Sequence, residues 1–160
     1  LGIFGCRSDD PRKESSSVKR FLDEEKNKGL YDLETYRNFQ ARADKIKDDL
    51  VTFLIDQKRR GESVAAYGAA AKGNTLLNYA GIKPDLLPFV CDAAPSKQGK
   101  YLPGSHIPIC NPDKLFKEKP DWVLILPWNI ADEIKKQQAK ITTWGGCFVT
   151  AIPHLKTFAQ

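Results

Sequence analysis

Apolar positions in the first third of the chain recur at helical spacing. Phe39, Ala43, Ile46, Leu50 and Phe53 follow one another at intervals of 4, 3, 4 and 3 residues. That spacing places them on one face of a helix with about 3.6 residues per turn. The stripe predicts a long helix with a buried face, and we expect Leu50 to lie in the core.

Capping residues mark the ends of this helix and of a shorter helix before it. Asp32 or Thr35 can cap the start of the long helix, and the basic residues up to Arg60 complement its C-terminal dipole. A shorter helix is predicted from the serines at 15–17 to about Asn27. The first part of the chain is therefore expected to be a helical arm.

Residues 1–6 are mostly apolar and have the character of a single strand. Because the backbone groups of a strand must pair, such a strand needs partner strands that lie outside this chain. The sequence contains no Met, even at position 1, which we expect of a piece cut from a longer protein. We therefore divide the chain into a strand remnant and helical arm or linker (1–35) and a domain (36–160).

After residue 63, short apolar runs alternate with turn and helix signals. The clearest runs are Val64–Tyr67, Phe89–Cys91, Val123–Leu126 and Cys147–Ala151, and helices are predicted at 74–79, 111–118 and 129–139. Strands that alternate with helices indicate a parallel sheet with right-handed crossovers. The sequence therefore predicts an α/β fold, a Rossmann-like parallel sheet of about five strands with helices on both faces, preceded by a helical arm.

Charge and hydropathy narrow the classes of function. The 25 Lys and Arg residues exceed the 20 Asp and Glu residues by five, but the surplus is spread along the chain. A nucleic-acid-binding protein usually concentrates its positive charge on one face and adds aromatic platforms, so we expect no nucleic-acid partner. No apolar run reaches the roughly 20 residues that a membrane span needs, so no membrane partner is expected either.

The cysteine and histidine positions do not suggest a metal site. The four cysteines form no CxxC pair, and the two histidines lie far apart. Since zinc ligands usually come in close pairs, no metal is expected. Three cysteines lie in or beside apolar runs, which indicates buried, reduced thiols and a cytoplasmic protein.

The turn after the first predicted strand is the main candidate for a binding site. It reads Gly68-Ala-Ala-Ala-Lys-Gly-Asn-Thr75 and lies where doubly wound folds bind their ligands. Its small residues allow backbone N–H groups to approach a phosphate, and Lys72 adds a cation at a helix start. The turn matches neither GxGxxG nor a Walker loop, because Ala70 replaces the middle glycine and Lys72 precedes Gly73. A tight turn with small residues for packing alone is the alternative.

Asp92 and two later segments extend this candidate site. Asp92 ends the second strand, 24 positions after Gly68, where an acid can bind a ribose hydroxyl or simply end a strand. The irregular loop at 97–106 is rich in donors, which is typical of functional loops. His106 can act there as a ligand contact, an acid–base group or a structural hydrogen-bonding residue. Trp128 follows the Val123–Leu126 strand and can stack on a base or sugar, or cover the sheet.

Three segments resemble a known family. They read YGAAAKGNTLLNY at 67–79, KQGKYLPGSHIPI at 97–109 and LILPWN at 124–129, and they closely resemble the C-terminal domain of S-adenosylmethionine-dependent sugar C-methyltransferases. The resemblance runs from about Leu30 to Phe158. It implies a Rossmann-like domain that helps to form the cleft for a nucleotide-linked deoxysugar. It also implies that a separate, preceding domain of the parent chain binds S-adenosylmethionine and carries the catalytic residues.

We therefore expect the nucleotide-sugar-binding domain of such an enzyme, inactive alone and without its own cofactor. In the parent enzyme, a base would remove a proton next to a carbonyl, and the carbanion would attack the donor methyl. No catalytic residue is expected here. The expected substrate-binding residues are Tyr67, Gly68, Lys72, Gly73, Asn74, Thr75, Asp92, Lys97, Tyr101, His106, Trp128 and Asn129. The alternatives are a nucleotide- or NAD(P)-binding oxidoreductase domain and a structural module that docks on its neighbour through the long helix.

Overall fold

The computed structural model describes residues 2 and 4–158 and divides the chain into two compact units, Leu1–Ala41 and Arg42–Gln160. The first unit contains helices α1 (Ser16–Asn27) and α2 (Leu33–Arg37), neither of which buries a residue. The strand predicted at residues 1–6 lies partly outside the described residues, and residues 2 and 4–6 form no strand.

The predicted long helix is divided in the structure. Helix α3 (Phe39–Arg60) is separated from α2 by Asn38, whose N–H and side-chain amide both donate to Glu34 O. Such side-chain bonds to the backbone compete with helix continuation. Leu50 is 0% exposed, which confirms its predicted burial, but Phe39 is 64% exposed. Only the C-terminal part of the stripe therefore packs in the core.

A six-stranded sheet forms the centre of the second unit. Its strands are β1 (Val64–Tyr67), β2 (Val90–Cys91), β3 (Ile109–Cys110), β4 (Trp122–Ile125), β5 (Cys147–Thr150) and β6 (Lys156–Phe158). Their order is β3-β2-β1-β4-β5-β6; the first five are parallel and β6 pairs antiparallel with β5. The order 3-2-1-4-5 is that of doubly wound dinucleotide-binding folds. The predicted α/β fold is confirmed, but neither β3 nor the outermost strand β6 is among the strands located from the sequence.

Helices cover both faces of this sheet. Successive strand residues point to opposite faces, so Val64 and Ala66 join one apolar cluster while Ala65 and Tyr67 join the other. The first cluster is completed by α3 and α4 (Ala71–Tyr79), the second by α5 (Asp113–Glu118), α6 (Ala131–Gln137) and the 3-10 segment Ala139–Trp144. Burial on both faces explains why β1 and β4 are continuously apolar in the sequence. Among the described residues, no helix is both long enough and apolar enough to cross a membrane.

Candidate functional site

The parallel strands end together at one edge of the sheet, here called the carboxyl edge. It comprises the turn at 68–70 with the start of α4, the segment 92–97 after β2, and the segment 127–129 after β4. Because Tyr67 pairs with Cys91 and with Ile125, the three segments leave the sheet at the same level. This is the edge at which open α/β sheets bind their ligands.

The two glycines of the turn motif are required by close packing. Gly68 has a φ of +87°, and a Cβ placed on it would lie 2.5 Å from Pro127 Cγ. A Cβ on Gly73 would lie 2.5 Å from Leu126 Cβ. Both glycines therefore let the turn and α4 pack directly against the segment that follows β4, which is a packing role.

Asp92 and Lys97 form hydrogen bonds with the backbone of the turn. Asp92 is 8% exposed; its Oδ2 accepts from Ala69 N–H at 2.7 Å and from Lys97 Nζ at 3.0 Å, and its Oδ1 accepts from Ala94 N–H at 2.8 Å. Lys97 Nζ also donates to Ala69 O at 3.0 Å. Three donors within the chain thus fill most of the roughly four acceptor positions of this carboxylate.

The start of helix α4 retains free backbone donors. Ala70 N–H donates to Gly68 O at 2.7 Å, and Asn74 N–H donates to Ala70 O at 2.9 Å. Ala70 provides no side-chain cap, and the N–H groups of residues 71–73 reach no acceptor in the described part of the chain. The first N–H groups of a helix have no intrahelical partner, and together with the helix dipole they favour a bound anion.

Lys72, in the first turn of α4, lies close to Trp128. The Lys72 ammonium is 5.8 Å from the centroid of the Trp128 ring, a cation–π distance. Lys72 forms no ion pair with any residue that the structure describes, whereas the charge of Lys97 is paired with Asp92. Trp128 is half-buried and Asn129 is exposed. Of the residues described at the carboxyl edge, Lys72 is therefore an unpaired cation, and Trp128 and Asn129 add a ring and an amide.

Three other predicted residues lie in β1 and α4, and of these Tyr67 alone is buried. Tyr67 is buried, and its hydroxyl accepts a hydrogen bond from Gln138 Nε2 at 3.1 Å. This burial raises the pKa of Tyr67 above its ordinary value. Thr75 Oγ1 donates to Ala71 O at 3.2 Å. Asn74 Oδ1 is a buried acceptor that receives no hydrogen bond from any described residue.

Tyr101 and His106 lie away from this edge. The segment 99–108 folds back along β3, and Asn78 in the last turn of α4 donates to Pro103 O at 2.9 Å. Since α4 starts at the carboxyl edge, its last turn lies about 10 Å further on, towards the opposite edge. The structure therefore brings together the predicted residues at 68–75, 92, 97, 128 and 129, but places Tyr101 and His106 elsewhere.

Sequence reasoning missed the residues that hold this edge together. Ala69 acts through its backbone, and its side-chain type carries no signal of that role. Gln98 Nε2 donates to Asp92 O at 2.9 Å, and Gln98 Oε1 accepts from Asn111 Nδ2 at 3.2 Å. A donor-rich loop was predicted, but its hydrogen-bond partners depend on the register of β2 and β3.

Metal and thiol chemistry find no support in the described residues. They contain no group of three or more His, Cys, Asp or Glu side chains that could hold a metal ion. Cys91 and Cys110 are register partners in β2 and β3. Burial, and next the neighbouring Cys110, raise the pKa of the Cys91 thiol to about 12, so this thiol stays protonated near neutral pH.

Comparison with known proteins agrees with the resemblance of the three motifs. Residues 1–153 match the family described as C-methyltransferase C-terminal domain. The chain is also 36% identical over 138 residues to C-methyltransferase NovU of Streptomyces niveus. That alignment covers 86% of this chain and 33% of the relative, so the chain spans about a third of the length of the curated protein it matches. The family prediction is confirmed: this chain belongs to the C-terminal domains of the C-methyltransferases.

Proposed function

We propose that this chain is the nucleotide-sugar-binding domain of an S-adenosylmethionine-dependent sugar C-methyltransferase. The observation that supports this function best is the start of α4, where the N–H groups of residues 71–73 reach no acceptor among the described residues and the Lys72 ammonium lies 5.8 Å from the centroid of the Trp128 ring. Backbone donors and a cation suit a diphosphate, and an aromatic ring suits a base or sugar attached to it. A nucleoside-diphosphate sugar combines these features.

The charges at the carboxyl edge favour an anionic ligand. Asp92 and Lys97 are in contact at 3.0 Å, so their charges cancel. Lys72 and the N-terminal dipole of α4 then leave the edge positive. Direct contacts are assigned to Lys72, Trp128 and Asn129, which are reachable from solvent at this edge. Tyr67 and Gly73 are buried and contribute through packing.

The same charges argue against the methyl donor as the ligand of this edge. S-adenosylmethionine carries a positive sulfonium and a ribose whose hydroxyls need acceptors. The edge instead offers the cation of Lys72 and backbone donors, and the Asp92 carboxylate already accepts three hydrogen bonds. We therefore propose that another segment of the parent enzyme binds S-adenosylmethionine and provides the catalytic base. This domain then transfers no methyl group alone.

The oxidoreductase alternative is weaker for a related reason. It depends on Gly68 as part of a dinucleotide-binding turn and on Asp92 as the acceptor of a ribose hydroxyl. In the structure Gly68 packs on Pro127, and Asp92 is directed at Ala69 and Lys97. NAD(P) would therefore have to break existing hydrogen bonds in order to use this acid.

The helical arm provides the surface we propose for the partner domain. Helix α1 buries none of its residues, and its apolar side chains Val18, Phe21 and Leu22 are exposed. We propose that they contact the remainder of the parent enzyme, the part that binds S-adenosylmethionine. Phe21→Glu would then abolish co-purification with that separately expressed segment and leave the unfolding of this chain unchanged. Undiminished co-purification would contradict the proposal.

Ligand titrations followed by two-dimensional amide NMR test the proposed function. We expect deoxythymidine-diphosphate glucose to produce saturable shifts at the amides of residues 71–73 and at the Trp128 indole N–H. S-adenosylmethionine and NAD should produce none, and glucose without its nucleotide is the control. Saturable binding of S-adenosylmethionine or NAD at this edge would contradict the assignment, as would sugar-nucleotide shifts confined to other parts of the chain.

A further inference from the structure

The backbone of one alanine is held by two charged side chains. Ala69 N–H donates to Asp92 Oδ2 at 2.7 Å, and Ala69 O accepts from Lys97 Nζ at 3.0 Å. The two side chains also contact each other at 3.0 Å. The three groups form a closed triangle, here called the Ala69 clamp. Asp92 is nearly buried, while the side chain of Lys97 is 44% exposed.

The Ala69 clamp acts on the backbone between Gly68 and the start of α4. Gly68 precedes it with a φ of +87°, a conformation that glycine adopts readily, and its N–H donates to Cys91 O at 2.7 Å. Ala71, the first residue of α4, lies only two positions after Ala69. The orientation of the Ala69 backbone therefore sets the direction in which the free N–H groups of residues 71–73 point.

We infer that Asp92 and Lys97 are positioning residues that orient the anion-binding start of α4 and do not themselves touch the substrate. This inference rests on the proposed function for the nature of the ligand. The two side chains contribute no net charge, so their effect on an anion is exerted through the geometry of the turn. It changes the role expected from the sequence, in which both were substrate contacts.

The sign of one substitution separates positioning from direct contact. Asp92→Asn removes a negative charge near the anion site, which by electrostatics alone strengthens anion binding. If the Ala69 clamp positions the helix start, the same substitution weakens binding. An amide has one acceptor oxygen, so it cannot accept from Ala94 N–H on one side and from Ala69 N–H and Lys97 on the other, and it no longer attracts the Lys97 ammonium as the carboxylate does. Inorganic pyrophosphate is the suitable probe, since it has no ribose whose hydroxyl Asp92 could bind.

We expect Asp92→Asn to weaken pyrophosphate binding to this chain by about tenfold or more in an NMR titration. Asp85→Asn is the matched control, because it makes the same charge change at an exposed position on the turn after α4. It should alter the affinity by less than about twofold. Equal or tighter pyrophosphate binding by Asp92→Asn would overturn the inference.

Hydrogen exchange in the ligand-free chain tests the Ala69 clamp independently of binding. The Ala69 amide should exchange faster in both Asp92→Asn and Lys97→Met, while the amide of Val123 in β4 is unchanged. The exposed Lys97 keeps this test available if Asp92→Asn does not fold. Unchanged exchange at Ala69 in Lys97→Met would overturn the inference. If wild type binds neither pyrophosphate nor deoxythymidine-diphosphate glucose, the proposed function fails, and the exchange result still decides whether the clamp exists.

Discussion

The amino edge of the sheet, where its parallel strands begin, and the carboxyl edge each contain a similar polar network, but the two edges differ in the polar groups that remain unpaired. At the amino edge, Asp121 Oδ2 accepts from Ser63 N–H at 2.7 Å and from Ser63 Oγ at 2.8 Å, which joins β1 to β4. At the carboxyl edge, Asp92 joins the end of β2 to Ala69 in a comparable way. There, however, the N–H groups of residues 71–73 find no acceptor among the described residues.

This difference follows from the direction of the helices. In a parallel α/β unit each helix begins at the carboxyl edge and ends at the amino edge, so free N–H donors collect at one end only. The carbonyl-rich end of α4 is followed by Lys83, whose Nζ donates to Gly104 O at 2.6 Å. Trp122 Nε1 likewise donates to Glu62 Oε2 at 2.6 Å. The number of polar groups therefore does not distinguish the edges, whereas the unpaired donors and Lys72 do.

The largest expected effect is on stability, at the glycine that begins the turn. Gly68→Val places a branched side chain at positive φ, which costs about 1–3 kcal/mol, and a Cβ against Pro127, which costs about 1–3 kcal/mol more. Gly61, at the amino edge, has a φ of +75° but open space around its Cβ. Gly61→Val should therefore show only the first loss in urea unfolding. Equal losses would show that the Pro127 contact is unimportant.

The second expected effect is on binding. Lys72→Ala removes the unpaired cation and should weaken binding of deoxythymidine-diphosphate glucose about 10- to 150-fold, because a charge-assisted contact is worth about 1.5–3 kcal/mol. Lys136→Ala, in the last turn of α6, removes the same charge at the amino edge and should change affinity less than about twofold. The measurement is an NMR titration of both variants. If the two variants bound deoxythymidine-diphosphate glucose equally well, the proposed functional difference between the edges would be wrong.

A smaller effect is expected from the network of the amino edge, and it depends on pH. The backbone and then the hydroxyl of Ser63 donate to Asp121 and hold its pKa below the ordinary value of 3.8. A carboxyl whose pKa is lowered by folding stabilises the protein above that ordinary value and loses this contribution as the pH falls through the lower, folded value. Asp121 is largely exposed, so the contribution is at most about 1 kcal/mol.

Asp121→Asn should therefore reduce the free energy of unfolding at pH 7, and the gap to wild type should shrink as the pH falls below about 4. Urea unfolding at several pH values measures this gap. Pyrophosphate affinity at pH 7 should not change. A gap that grows with acidification would contradict the assigned sign. An altered pyrophosphate affinity would show that the two edges are energetically coupled.

The smallest effect is expected at Tyr101. Its side chain is 65% exposed, and it pairs with Pro108 beside β3, on the segment whose tip is held by the end of α4. Tyr101→Ala should change the affinity for deoxythymidine-diphosphate glucose by less than about threefold. A tenfold loss would place the sugar nucleotide across this segment and extend the site beyond the carboxyl edge.

Much of the fold could be predicted because burial on both faces leaves a clear pattern. The run Val123–Leu126 contains no polar residue, which predicts a central strand that is covered on both faces. The sixth strand, Lys156–Phe158, left no such pattern, since it lies at the edge of the sheet and Lys156 and Thr157 are exposed. The break at Asn38 was also missed, because it depends on a local side-chain bond that competes with an otherwise continuous helical pattern.

For the site, the sequence by itself determined that the segments after β1, β2 and β4 meet, but not that Tyr101 and His106 lie away from them. Parallel strands end at one edge, so a turn after β1, an acid after β2 and a Trp after β4 must be neighbours. Only the tertiary structure decided what each side chain does there. In the sequence, Asp92 is the same residue whether its carboxylate binds a ribose or the backbone of Ala69. Gly73 serves packing, because Leu126 Cβ lies 2.5 Å from where a Cβ on Gly73 would be. Such roles depend on contacts between residues far apart in the chain, and local residue patterns do not encode those distances.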